Sequence, residues 1–165
     1  MKKEVANKEQ LGGRVADIRH IGIVVSDLAT SLVFYTRFLG LQFGNHSEES
    51  GPEMDQILGI PNVRLRTQKL VTDTGGSRLE LVEFFEPKPV KGPALDLTHV
   101  GVTHFAVTVY DIEMIYNEML KAGVRFISPP QVEATGFAKV MFCRDPDGNL
   151  IELIEVQRKD PSHGS

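Results

Sequence analysis

The chain repeats itself. Residues 20–43 read HIGIVVSDLATSLVFYTRFLGLQF, and residues 104–126 read HFAVTVYDIEMIYNEMLKAGVRF. Each copy opens with a histidine on a β-type run and reaches an aspartate at the same distance, Asp27 or Asp111. Each then continues as an amphipathic helical stretch and passes a glycine, Gly40 or Gly123, into a short apolar strand ending at Phe43 or Phe126. A second matched pair follows, DTGGSRLELVE at 73–83 and DPDGNLIELIE at 145–155, which aligns Gly76 with Gly148 and both glutamates of one copy with both of the other. Each copy therefore reads as strand, helix and three further strands. Neither has a sheet large enough to be stable alone, so the two must pack as a pair.

The fold class is α+β, with two tandem βαβββ modules. Residues 17–86 form the first module, the Pro-rich stretch 87–98 a linker, and residues 99–157 the second module; residues 1–16 read as a flexible leader and 158–165 as a tail. Asp27 and Asp111 are placed to cap helix N-termini, where a short acceptor side chain satisfies free amides of the first turn. Gly40 and Gly123 sit where a helix exit calls for positive φ. TDTGGS and DPDGN are the hairpin turns between the third and fourth strands of each module. EMDQIL is predicted to be a short helix, followed by a strand from about Val63, with Met54 and Leu58 packed into the core.

Composition excludes several classes. The 165 residues are 41% hydrophobic and 24% charged, with a formal net charge of −4. No basic run marks a nucleic-acid partner, and no apolar stretch approaches a membrane span. The leader lacks the apolar region of a secretory signal. Cys143 is the only cysteine, so no internal disulfide forms, and a reducing, cytoplasmic compartment is expected.

Alternation places the side chains. His20, Gly22 and Val24 share one strand face against Ile21, Ile23 and Val25; His104, Ala106 and Thr108 share another against Phe105, Val107 and Val109. The bulky face suits packing under a helix, and the histidine face is lined by small residues. Lone histidines and glutamates on strands are ordinarily core or solvated residues. Here two histidines and two glutamates recur at matched positions, and imidazoles with carboxylates from two modules make a site for a divalent transition metal. Repetition does not choose between Glu80 and Glu83, or between Glu152 and Glu155. Glu152 is flanked by apolar residues on both sides, whereas the strand runs out into VQRKD after Glu155.

These motifs together resemble the vicinal oxygen chelate superfamily, which includes glyoxalase I, methylmalonyl-CoA epimerase, extradiol dioxygenases and bleomycin-resistance proteins. The resemblance covers roughly residues 17 to 157. It implies a cupped, barrel-like mixed sheet with helices outside, around one divalent metal per site (Ni, Zn, Co, Mn or Fe) held by His20, Glu80, His104 and Glu152. That ligand set is similar to those of glyoxalase I and methylmalonyl-CoA epimerase. It implies a lyase or isomerase that removes a proton next to a carbonyl through a metal-bound enediolate, with Glu152 as base and Glu80 as its pseudosymmetric counterpart. The implied substrate is a small carbonyl, thioester or 2-oxo compound, and the implied assembly is a homodimer. A metal-dependent dioxygenase and a metabolite- or drug-binding resistance protein are the alternatives on the same fold.

Departures narrow the resemblance. Bacterial glyoxalase I enzymes use an Arg and an Asn to hold glutathione, where this chain has Val24 and Phe84. The epimerases usually have Gln at the position of Glu80, and the ring-cleaving enzymes have Tyr at that of Phe142. Arg64 and Arg66 share a strand face and are candidates to hold an anionic substrate group, although charge on an exposed strand also serves to prevent edge pairing. His46 and His163 are read as loop and tail residues, His99 has no partner in the first module, and Cys143 has no base.

Overall fold

The computed structural model describes residues 15–93 and 95–157; the tail and nearly all of the leader, with His163, lie outside the described residues. Two four-stranded sheets correspond to the two copies. In the first, β1 (His20–Val24), α1 (Leu28–Arg37), β2 (Gln42–Ser50), α2 (Pro52–Leu58), β3 (Arg64–Val71) and β4 (Arg78–Glu86) succeed one another. In the second the order is β5 (His104–Thr108), α3 (Ile112–Lys121), β6 (Gln131–Val132), β7 (Ala138–Arg144) and β8 (Leu150–Val156). The spatial orders β1-β4-β3-β2 and β5-β8-β7-β6 are the same, with parallel β1–β4 and β5–β8 pairs and antiparallel pairs elsewhere. Both sheets are cupped rather than closed.

The local signals act where the sequence puts them. Asp27 accepts a hydrogen bond from the Thr30 amide at 2.6 Å, and Asp111 one from Met114 at 3.0 Å. The Thr30 bonds hold the Asp27 carboxyl below its ordinary value. Gly40 and Gly123 take φ of 66° and 81° just past the helix ends.

Three expectations change. The strand after α3 shrinks to a single bridge between Phe126 and Cys143, and β6 begins only at Gln131. EMDQIL does form a helix, α2, but it buries no residue fully: Met54 is half-buried and Leu58 exposed, rather than both in the core. A two-turn helix over a sheet edge has too little apolar surface to sink itself. His46 lies on β2 opposite Gln68 rather than in a loop.

One core serves both modules. Tyr35, Leu70 and Leu81 of the first module and Ile112, Met119, Ile151 and Leu153 of the second are fully buried in one cluster. Ile21 and Ile23 of β1 and Phe105 and Val107 of β5 pack against that cluster. The DPDGN turn is fastened across the modules as well. The Tyr35 hydroxyl donates to Asp145 Oδ2 at 2.9 Å, with both residues buried. Asp145 also accepts from the amides of Asp147 and Asn149 and from the Asn149 side chain. The backbone N–H and hydroxyl of Ser26 both donate to Asp147. Burial beside this carboxylate pushes the Tyr35 hydroxyl upward, so it stays a donor at neutral pH.

Tyr35→Phe removes the donor and leaves Asp145 with its own turn amides. The expected loss of stability is about 1–2 kcal/mol, read as a lower urea midpoint with an unchanged slope.

Candidate functional site

The parallel pairing of first and last strands fixes what stands beside each histidine. Gly22 is opposite Glu80 in β1–β4, and Ala106 is opposite Glu152 in β5–β8. His20 lies two residues before Gly22 on the same face, so its imidazole reaches over a position with no side chain to the carboxylate. His20 Nε2 lies 3.2 Å from Glu80 Oε2, and His104 Nε2 lies 3.4 Å from Glu152 Oε2. Glu80 and Glu152 are therefore the glutamates that meet the histidines.

Their neighbours in sequence face the other way. Glu83 is ion-paired with Arg66, and Glu155 accepts from the Asp111 amide at 3.3 Å. Glu155 is thus a half-buried support at the start of α3, not the free surface residue that its neighbouring VQRKD suggests.

The spacing within each pair has a chemical meaning. Two donors each about 2.1 Å from one ion stand roughly 3.0–3.4 Å apart, from octahedral to tetrahedral angles. Both His–Glu pairs have that separation. The Thr103 hydroxyl lies 3.0 Å from His104 Nδ1. With Nδ1–H donating there, the Nε2 lone pair faces Glu152, as a ligand requires. The Phe142 ring meets His104 edge-on at 5.3 Å and limits how the imidazole can turn.

The four residues do not come together in one chain. Among the described residues, no three His, Cys, Asp or Glu side chains stand close enough to hold one metal ion. The cause lies in the packing. Ile21, Ile23, Phe105 and Val107 face the shared core, so the histidine faces point away from it. Each module offers two candidate ligands, at about one-third exposure for the histidines and 15% and 20% for Glu80 and Glu152.

Arg64 and Arg66 lie on the face opposite Glu80. Both guanidinium groups sit over the Phe85 ring, and Arg66 is held by Glu83. Two cations share the Glu80 face: Arg78, the register partner of His20, and Lys69, whose Nζ is 3.2 Å from Glu80 Oε1. Strand alternation could have found Lys69, because it is the cross-strand partner of Glu80; without the hairpin register the count back from the TDTGGS turn is ambiguous. Cys143 is fully buried, and burial pushes its thiol up to about 12, so it has no nucleophilic role at neutral pH. His99 is an exposed loop residue tied to Asp96.

Comparison with known proteins bears on the family and the fold. Residues 17–153 match the family model of the Glyoxalase/Bleomycin resistance protein/Dioxygenase superfamily. The chain belongs to that superfamily. A virulence protein of Salmonella typhimurium, STM3117, is 29% identical over 140 residues, covering 84% of this chain and 83% of that one. A glyoxalase family protein from Bacillus cereus has the same fold, with a TM-score of 0.79 at 21% identity, over 94% of this chain and 99% of that chain. The trypanothione-dependent glyoxalase I of Leishmania major is similar in fold, with a TM-score of 0.60 at 24% identity, over 86% and 87% of the two chains. No described helix is long and apolar enough to cross a membrane.

Arg64→Ala and Arg66→Ala should each cost no more than about 1 kcal/mol of stability, measured by denaturant titration.

Proposed function

We propose that this superfamily member is a divalent-metal-dependent lyase or isomerase of the glyoxalase I type, which removes a proton next to a carbonyl. The observation that carries this reading is the spacing of the two His–Glu pairs, each matched to two ligands of one ion. Nickel, zinc, cobalt, manganese and iron all suit such a nitrogen and carboxylate donor set. Since neither module gathers a third ligand, the complete site takes His20 and Glu80 from one chain and His104 and Glu152 from a second copy. The protein is then a homodimer with two equivalent sites, acting on a small carbonyl, thioester or 2-oxo compound in the cytoplasm.

The bound metal supplies Lewis acidity to a carbonyl oxygen. The chain's own residues do the rest. Glu152 accepts the proton, because among the described residues its carboxylate has one ion-pair partner, His104, an uncharged neighbour once ligating, and no ammonium holds it. Glu80 is held from two sides, by His20 and Lys69, and stays in place. Gly22, Val24 and Ala106 leave open floor around the two imidazoles. Val24 and Phe84, standing where bacterial glyoxalase I enzymes have Arg and Asn, favour a substrate other than glutathione adducts.

The purified protein should contain about one Ni, Zn, Co or Mn per chain and sediment as a dimer. Glu152→Gln should keep the dimer and lose at least a hundredfold in turnover. Fe(II) with substrate-dependent oxygen uptake would instead identify a dioxygenase, and a metal-free protein that still binds a small molecule would identify a binding protein.

A further inference from the structure

The two half-sites are unequal in charge. Glu80 faces Lys69 across β3–β4, and at the matching position of the second module Glu152 faces Phe142 across β7–β8. Lys69 Nζ is 3.2 Å from Glu80 Oε1, while the Phe142 ring rests edge-on against His104. One module thus adds a cation beside its ligands and the other adds an apolar edge. The Lys69 side chain is about one-quarter exposed and lies on the same face as Glu80, so solvent reaches it there.

The consequence follows from counting charges, and it rests on the metal reading above. Two carboxylates, two neutral imidazoles and a divalent ion sum to zero. Without the metal, Lys69 neutralises Glu80. With the metal bound, Glu80 shares its charge with the ion, and the ammonium of Lys69, which contacts Glu80 directly, is no longer neutralised by it. An ammonium in that position attracts an anion placed beside the ion and offers it charge-assisted hydrogen bonds. Arg64 and Arg66 do not offer this, since they lie on the opposite face with Arg66 already paired. We propose that Lys69 is a specificity-determining residue that selects substrates carrying a carboxylate, or a comparable anionic group, next to the reacting carbonyl.

Oxamate and oxamide test this directly. Both present two neighbouring oxygen-bearing carbons to a metal, and they differ in charge. Their dissociation constants are measured on the Co²⁺-loaded wild-type, Lys69→Met and Lys69→Arg proteins through the visible Co²⁺ spectrum. The comparison between variants cancels the ion's own preference for an anion. Lys69→Met should bind oxamate ten- to a hundredfold more weakly than wild type, with oxamide changed less than twofold, and Lys69→Arg should keep most of the oxamate affinity. Thermal melting of each variant checks that it is folded. Equal oxamate affinity in Lys69→Met, or a parallel loss for both probes, would overturn the proposal while leaving the metal site standing. Wild-type protein that takes up no Co²⁺ would overturn the metal reading and this proposal with it.

Discussion

Each of the strands β1 and β5 has one face committed to the apolar core, and alternation then leaves its histidine on the other face. Ile21 and Ile23 pack from one module and Phe105 and Val107 from the second, against a single cluster that includes Tyr35 and Met119. With these faces turned inward, His20 and His104 have to face outward. The Tyr35–Asp145 and Ser26–Asp147 bonds hold the modules in this relation, since each joins the first module to the turn just before β8. The same packing that makes the chain stable therefore keeps its four candidate ligands in two separate pairs.

Much of this was legible in the sequence. The duplication located both modules, and alternation put His20 and His104 on open faces. The helix caps Asp27 and Asp111 could be read because they act within one turn of their own position. The choice between Glu80 and Glu83 could not be read in this way, because both recur and the register of the parallel β1–β4 pair depends on tertiary packing. The resemblance to the family pointed to Glu80 and Glu152, and the pairing of Gly22 with Glu80 and Ala106 with Glu152 gives the physical reason. Lys69 escaped notice because its importance lies in a cross-strand contact. The exposure of α2 was also hidden, since its apolar residues read like core until the sheet they would cover is known.

Duplication leaves two copies free to diverge, and one of the differences lies directly beside the glutamates. Lys69 and Phe142 occupy matching positions with opposite chemistry, so the pseudosymmetric pair Glu80 and Glu152 are held differently. Among the described residues, Glu80 is held by an ammonium as well as an imidazole, and Glu152 by an imidazole alone. Membership of the superfamily shows the fold and leaves substrate and reaction to be settled by such local differences.

Subunit mixing tests whether each site is built from two chains, as proposed above. His20→Ala disables the first module's pair and Glu152→Gln the second's. In a dimer containing one of each, both lesions fall in one site and the other site is wholly native. Co-expression with two affinity tags, followed by isolation of the mixed dimer, should recover about one tightly held metal per dimer and about half the wild-type activity, with little of either in the parent variants. A mixed dimer no better than its parents would show that each chain builds its own site and would rule out a site shared between two chains.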